Sequence, residues 1–244
     1  MKIHVGTSGF AHKEWKGKFY PEKISPKELL RFYAERLGTV EINNTFYHMP
    51  QESVLLSWAG QVPDDFVFAL KAPQVITHMK QMRNVFEETE RLFRSLSILD
   101  RKLGPVLFQF PKSFRADRHA LEEFLPLIPG TVSCAFDFRS PSWLDGEILD
   151  LLRKKGCSWC IEDTDENPVT EVISTAAWGY LRLRRSDYTD AALSQWVEKI
   201  RSQKWDRAFV FFKHEDGPEM AMRFQELVDS RGIKVKTGRT REAS

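Results

Sequence analysis

The stretch 39–50, TVEINNTFYHMP, combines residues that could do chemistry with a strand that could position them. Val40 and Ile42 are apolar and β-branched, and polar residues alternate with them. This pattern predicts a strand with one buried face. The alternating Glu41 and Asn43 should then face whatever the strand encloses. A carboxylate there is costly unless it is paired, hydrogen-bonded or used, so Glu41 is the leading candidate for a general acid or base.

Polar residues also fall at the predicted ends of the other strands. They are Ser8, Lys71, Gln109, Asp137, Arg139, Asp163, Arg182, Arg184, Lys213 and His214. Most strands begin with apolar residues instead. Taken singly, each of these polar residues is better explained by a structural ion pair than by a ligand site. Together they favour a site at one end of the fold, because inward-facing charges of both signs need partners or a ligand.

The residue types at these strand ends suggest anion binding beside acid–base groups. Lys71 and Arg182 could clamp a phosphate or a carboxylate, since an arginine binds such groups through two N–H donors. Asp137 and Asp163 join Glu41 as candidate catalytic carboxylates. Loop aromatics could stack on a sugar or a base, or could simply pack the loops. They are Trp15, Tyr20, Phe46, Tyr47 and Trp143.

The elements that must position these groups alternate between strand and helix. Strands are predicted over residues 3–5, 39–43, 66–71, 106–110, 132–138, 159–163, 180–184 and 208–213. Helices are predicted over residues 25–37, 51–60, 84–103, 117–127, 145–155, 189–201 and 218–230. About eight such alternations in 244 residues indicate an α/β fold with one closed TIM-like (β/α)8 barrel, irregular in some helices. We expect this domain to span residues 1–233, followed by a loosely ordered basic tail over 234–244.

Composition narrows the class of protein. The formal charge is +2, so the chain as a whole lacks the charge of a general nucleic-acid binder. The first residues lack a signal-peptide pattern, and no apolar run approaches the roughly 18 residues of a membrane helix. The three cysteines argue against a disulfide framework, and Cys157 and Cys160 are better explained as buried residues than as a redox pair. We therefore expect a soluble, cytoplasmic protein that does not bind membranes.

Several long motifs resemble the YecE-like family, also called domain of unknown function 72. They are GTSGF (6–10), EINNTFYHMP (41–50), ALKAP (69–73), GPVLFQFPKSF (104–114), AFDFRSPSW (135–143) and YLRLR (180–184). The resemblance runs in order along nearly the whole chain and implies a TIM-like barrel. It does not supply a reaction.

The positions that match the family motifs indicate candidate ligand-binding and catalytic residues. They are Ser8, Glu41, Asn43, Lys71, His78, Gln109, Arg139, Trp143, Asp163 and Arg182. The chain also departs from the family pattern. Asp137 stands where the family usually has Glu, and His12 where it has Tyr. Arg184-Arg185 replaces a His-Gly pair, and Lys213-His214-Glu215 replaces an Asn-rich stretch.

The first functional hypothesis is an enzyme that acts on a small anionic ligand, such as a phosphorylated sugar or a nucleotide. Glu41 would be its acid–base group, Lys71 and Arg182 the anion clamp, and Asp163 a second acid–base or orienting group. The reaction could be a hydrolysis, a lyase reaction or an isomerisation. On this hypothesis, Glu41→Gln abolishes turnover and leaves folding intact.

Two alternatives remain open. A metal-assisted phosphodiesterase or nuclease would draw its ligands from Glu41, His48, His78, Asp137, Asp163, His214 and Glu215. No HxH or HExxH spacing is present, and the neighbouring cations would compete with a metal ion. A non-catalytic module that binds a nucleotide or a nucleic acid would use the same basic, aromatic mouth. The residues do not identify a cofactor or an oligomeric state.

Overall fold

Eight parallel strands form a closed barrel in the computed structural model, which describes residues 1–213, 217–232 and 234–235. The strands are β1 (Lys2–Ser8), β2 (Thr39–Ile42), β3 (Val67–Lys71), β4 (Leu103–Phe110), β5 (Cys134–Phe138), β6 (Ser158–Asp163), β7 (Trp178–Leu183) and β8 (Arg207–Phe212). Each strand pairs with the next along the chain, and β1 pairs with both β2 and β8. The predicted TIM-like barrel is confirmed.

Helices cover the outside of the barrel. They are α1 (Leu29–Ala34), α2 (Glu52–Gln61), α3 (Phe86–Leu96), α4 (Arg118–Phe124), α5 (Gly146–Lys155), α6 (Asp190–Arg201) and α7 (Glu219–Ser230). Asp117, Asp145 and Thr189 cap α4, α5 and α6 by accepting hydrogen bonds from backbone N–H groups of the first turn. The connection between β6 and β7 contains no helix, so the barrel has the predicted irregularity there. No helix within the described residues is long and apolar enough to cross a membrane.

Side chains alternate between the barrel interior and the helical layer, as the strand period requires. Val40 and Ile42 join the large core between strands and helices, whereas Glu41 points inward. A separate apolar layer fills the middle of the barrel. Its members include Ala69, Leu107, Ala135, Cys160, Tyr180, Phe209 and Phe211. The inward polar residues lie above this layer, at the C-terminal ends of the strands.

Some predicted boundaries are wrong around α3 and β4. A helix was predicted over residues 84–103, whereas α3 begins at Phe86. The helix ends at Leu96, and a 3₁₀ segment follows it. The strand predicted to begin at residue 106 begins earlier and includes Gly104, where a Cβ would lie 2.8 Å from the Phe68 carbonyl oxygen. Glycine is needed there because the neighbouring strand approaches closely.

The start of the predicted C-terminal tail is part of the sheet. A short strand, β9 (Lys234–Val235), pairs in parallel with Lys2 and Ile3 of β1. The sheet thus extends past the expected boundary at residue 233. Residues 236–244 lie outside the described part of the chain.

Gly6 provides a test of the close contact between β1 and β2. A Cβ at this position would lie 2.1 Å from the Thr39 carbonyl oxygen, which belongs to the neighbouring backbone. We expect Gly6→Ala to lower the free energy of unfolding by about 2 kcal/mol, measured by urea denaturation, because the strands must move apart. Gly130→Ala is the control, since its Cβ would meet open space. Equal effects of the two substitutions would contradict this account.

Candidate active site

A buried cluster of ion pairs occupies the C-terminal mouth of the barrel. At its centre, the Arg182 guanidinium is 3% exposed and the Glu41 carboxylate is 0% exposed. Arg182 Nε lies 3.0 Å from Glu41 Oε2, and Nη2 lies 3.0 Å from Oε1. Arg182 Nη1 donates to Asp137 Oδ2 at 3.1 Å and to Glu162 Oε1 at 3.2 Å. One guanidinium on β7 therefore joins carboxylates from β2, β5 and β6.

Both oxygens of Glu41 accept further hydrogen bonds. Ser8 Oγ donates to Oε1 at 2.7 Å, and Asn43 Nδ2 donates to the same oxygen at 3.0 Å. Arg184 Nη2 approaches the same oxygen at 3.3 Å, and the Tyr180 hydroxyl donates to Oε2 at 2.8 Å. Burial and the negative charge of Glu41 raise the pKa of Tyr180, so its hydroxyl remains a donor. Glu41 is thus held by five neighbouring side chains, Arg182 included.

These partners determine the protonation state of Glu41. Burial would raise its pKa, but the positive charges of Arg182 and Arg184, with hydrogen bonds from Arg182 and Asn43, hold that pKa well below its usual range. A general acid or base needs a pKa near the working pH. This environment favours the ionised form of Glu41, so its role in proton exchange stays a prediction. The carboxylate holds the Arg182 guanidinium through two hydrogen bonds.

Glu162 is a carboxylate of this cluster that the sequence interpretation missed. Its Oε1 lies 3.5 Å from Arg139 Nη2 and 3.5 Å from Arg184 Nε, in addition to its contact with Arg182. Within the described residues, the side-chain hydrogen bonds of Glu162 all go to Oε1. Burial and the negative charge of Asp137 raise the pKa of Glu162, against the opposing effect of the three arginines. The raised pKa favours the protonated form of this carboxyl group.

Asp163, predicted to join Glu41, is turned away from the mouth. Arg185 contacts both of its oxygens at 2.8 Å, and Tyr188 donates to Oδ2 at 2.8 Å. The Val169 N–H donates to Oδ1 at 2.8 Å. Placing Asp163 in the inward cluster is therefore wrong, because adjacent strand residues face opposite sides of the sheet. The alternation along β6 could have indicated Glu162 instead, since it lies two residues after the inward-facing Cys160.

Lys71 extends the cluster towards β4 and β5. Its Nζ donates to Gln109 Oε1 at 2.6 Å, and Gln109 Nε2 donates to Asp137 Oδ2. The same Nζ lies 4.2 Å from the centre of the Phe46 ring. Burial, assisted by the positive charge of Arg182, lowers the pKa of Lys71 to about 8. A fraction of this amine is therefore neutral near physiological pH.

His78 lies at the rim, on a π-helical turn (Val75–Met79) that follows β3. Its ring meets the Phe46 ring edge to face at 4.8 Å, and Nδ1 shares a hydrogen bond of 2.9 Å with Thr77 Oγ1. Burial and the charges of Lys71 and Arg139 lower its pKa. His78 is thus neutral at pH 7 and can donate or accept one hydrogen bond from a ligand.

Trp143 does not face the mouth. It is fully buried, its ring stacks on Phe138 at 4.0 Å, and its Nε1 donates to the Phe114 carbonyl oxygen at 2.8 Å. Trp15 and Tyr20 are also buried in the loop after β1. These three aromatics pack the loops, which was the alternative interpretation of them.

The structure brings together eight of the predicted residues: Ser8, Glu41, Asn43, Lys71, Gln109, Asp137, Arg139 and Arg182.

Two cavities meet at Arg184. One of about 460 Å³ is bordered by Ser8, Asn43 and His12. The other, of about 600 Å³, is bordered by Asp137, Arg139 and Glu162. Arg184, a departure from the family pattern, borders both and is 17% exposed in its side chain. The mouth can therefore accept a small molecule beside the ion-pair cluster.

The metal hypothesis gains no support from this part of the chain. Within residues 1–213, 217–232 and 234–235, no three His, Cys, Asp or Glu side chains converge as metal ligands. Arg182 instead occupies carboxylate oxygens of Glu41 and Asp137. His214 and Glu215, which the hypothesis also used, lie outside the described residues.

The buried pair changes what is expected of Glu41→Gln. Removing this charge leaves Arg182 undercompensated, so we expect a loss of about 3 to 5 kcal/mol in the free energy of unfolding at pH 7. The lowered pKa of Glu41 means that the carboxylate contributes stability above its ordinary value of 4.5, and this contribution is lost as pH falls below that value. The difference between wild type and variant should therefore shrink on acidification. Urea denaturation at a series of pH values measures it.

Glu90→Gln is the matched control for that measurement. Glu90 pairs with Arg94 on the surface, where the two side chains are 54% and 72% exposed. An exposed pair contributes less than about 1 kcal/mol, so the control should unfold nearly as wild type does. If Glu41→Gln were no more destabilising than Glu90→Gln, the Arg182–Glu41 pair would not be the support described above.

Comparison with known proteins identifies relatives along the whole barrel. A family model described as "Protein of unknown function DUF72" matches residues 4–243. UPF0759 protein YecE of Escherichia coli K12 is 28% identical over 142 residues, which cover 58% of this chain and 50% of that protein. UPF0759 protein YunF of Bacillus subtilis is 25% identical over 181 residues, covering 69% and 62% of the two chains. The match thus spans about half the length of the first of these curated relatives.

A solved structure agrees with these matches. The crystal structure of a DUF72 family protein from Thermotoga maritima superposes with a TM-score of 0.83 at 27% identity, covering 94% of this chain and 100% of that one. The resemblance inferred from the sequence motifs is confirmed by the family match and by the shared fold. The chain belongs to the DUF72 family.

Proposed function

We propose that this barrel is an enzyme that binds a small anionic substrate, such as a phosphorylated sugar or a nucleotide, at its C-terminal mouth. The observation that carries the proposal is the position of Glu162. Within the described residues, Arg139 and Arg182 donate hydrogen bonds to its Oε1 and none goes to its Oε2, and the side chain borders a cavity of about 600 Å³. In a TIM barrel, chemistry takes place at this end of the strands.

A partly exposed cation at the cavity supports anion binding. Charges of both signs border the cavity of about 600 Å³, where Lys112, Arg139, Arg184 and Lys213 lie with Asp137, Glu162, Asp165, Glu166 and Glu171. The guanidinium of Arg182 already pairs with three carboxylates of the buried cluster, so it has little capacity to bind a ligand. Arg139 is 47% exposed, and its only ion pair within the described residues is the 3.5 Å contact with Glu162. Its guanidinium is therefore the group best placed to bind a phosphate through two N–H donors.

Two groups at the mouth can transfer protons. The raised pKa of Glu162 and the lowered pKa of Lys71, about 8, bring a carboxylic acid and an amine towards neutrality. Such a pair can take a proton from one substrate atom and supply one to another. We therefore assign Glu162 as the general acid or base and Lys71 as the second proton-transfer group. This chemistry suits a lyase, an isomerase or a hydrolase.

Glu162→Gln tests the catalytic assignment. We expect turnover to fall at least about 100-fold, because the amide cannot exchange a proton, while the variant remains folded. Turnover is followed by phosphorus NMR on a panel of ribose 5-phosphate, glucose 6-phosphate and adenosine monophosphate. Glu166→Gln is the control, because Glu166 borders the same cavity but makes no contact with Arg182. Wild-type turnover by Glu162→Gln, or no product from any member of the panel, would overturn the proposal.

Arg139→Gln tests anion binding separately from catalysis. Inorganic phosphate and ribose 5-phosphate should raise the melting temperature of wild type, since a ligand that binds the folded state stabilises it. We expect the apparent affinity to fall about tenfold in Arg139→Gln, which loses a charged hydrogen bond. Arg153→Gln is a matched control, because Arg153 is 48% exposed and its one ion pair among the described residues is with Asp150 on the surface. Equal phosphate binding by both variants would contradict the role of Arg139.

A further inference from the structure

A further cavity lies at the opposite end of the barrel, where the strands begin. Its volume is about 840 Å³, larger than either cavity at the C-terminal mouth. It is bordered by the starts of β1, β3, β4 and β8, by α3, and by the segment before β5. Cavities of roughly 300 to 1,000 Å³ suit small ligands. The proposed catalytic site does not use this space.

Aromatic rings form the inner end of this cavity. His4 and Phe209 stack at 4.6 Å with nearly parallel rings, and both face the barrel interior. Beyond them lies the packed layer that contains Ala69, Leu107 and Phe211. The layer separates the N-terminal cavity from the ion-pair cluster, so the two ends of the barrel form separate spaces.

Arg207 places a positive charge across this cavity. From β8 it reaches to the segment before β5, on the far side of the barrel, where Nη2 donates to Ser133 Oγ at 2.7 Å. Its guanidinium also lies 5.9 Å from the centre of the Phe209 ring. Within the described residues, Arg207 forms no ion pair. By contrast, Arg94 pairs with Glu90, and Arg101 pairs with Asp64.

The remaining wall combines an apolar part with charged residues, among them Glu90, Arg94, Asp100 and Arg101. Leu103, Leu127 and Val132 are half-buried at the cavity, and Phe93 packs beside them. Phe86 at the rim is 63% exposed, which is unusual for a phenylalanine that lies next to a deep cavity. An unpaired guanidinium beside such a wall matches a ligand with a charged head and an apolar body.

We propose that the N-terminal cavity is a second binding site, for an organic phosphate with an apolar or planar body. The phosphate would contact Arg207 and the neighbouring hydroxyls of Ser133 and Thr131, because a guanidinium and hydroxyl donors together match phosphate oxygens. The body would lie against Phe86 and the aliphatic wall. The site lies away from the end where TIM barrels do chemistry, so its occupant is bound without being converted. The proposal does not depend on the proposed enzymatic function.

Binding of 4-bromophenyl phosphate to the full-length chain tests this site. Arg139→Gln serves as the background, because that substitution weakens phosphate binding at the other mouth. We expect calorimetry to show one binding event, weakened at least tenfold when Arg207→Gln is added and abolished when Thr131→Trp fills the cavity. Inorganic phosphate should bind more weakly than the aryl phosphate, because it leaves the apolar wall uncovered.

The bromine atom also locates the ligand. In crystals soaked with the same compound, anomalous scattering should place bromine between Phe86 and the floor formed by His4 and Phe209. Circular dichroism and thermal unfolding establish that the variants are folded. Undiminished affinity in folded Arg207→Gln, a bromine peak only at the C-terminal mouth, or no binding at all would each overturn the proposal.

Discussion

The buried pairing of Arg182 with Glu41 is the interaction on which the rest of the mouth depends. Charges removed from water are tolerated only when every one is paired and hydrogen-bonded. Arg182 meets this requirement by contacting carboxylates on β2, β5 and β6, while Ser8, Asn43 and Tyr180 saturate Glu41. The cluster therefore ties β2, β5, β6 and β7 together at the C-terminal end of the barrel.

The same requirement divides the carboxylates into different roles. Glu41 has partners on both oxygens, and the neighbouring arginines lower its pKa, so its ionised form holds Arg182. Glu162 accepts a hydrogen bond from the same guanidinium at Oε1, and burial beside Asp137 raises its pKa. We propose the carboxylate with fewer hydrogen bonds as the one that exchanges protons. Glu41 and Glu162 are the same residue type, so the difference between their pKa shifts comes from their positions in the cluster.

Charge is distributed differently at the two ends of the barrel. At the C-terminal mouth, cations and carboxylates neutralise one another in a buried network. At the N-terminal cavity, Arg207 contacts only a hydroxyl and an aromatic ring within the described residues. The apolar layer around Leu107 and Tyr180 keeps these environments apart. Two ligand sites can therefore coexist in one barrel without sharing residues.

The sequence by itself determined the barrel and the side of β2 that carries Glu41, because strand alternation and βα order are local patterns. It also indicated most residues of the mouth, since polar groups gather at strand ends. Only the tertiary structure decided which of them meet. Arg182 and Glu41 are 141 positions apart, and a shift of one residue separates the inward Glu162 from the outward Asp163. Burial and charge are properties of that assembled cluster, so the protonation state of Glu41 could not be read from its neighbours along the chain.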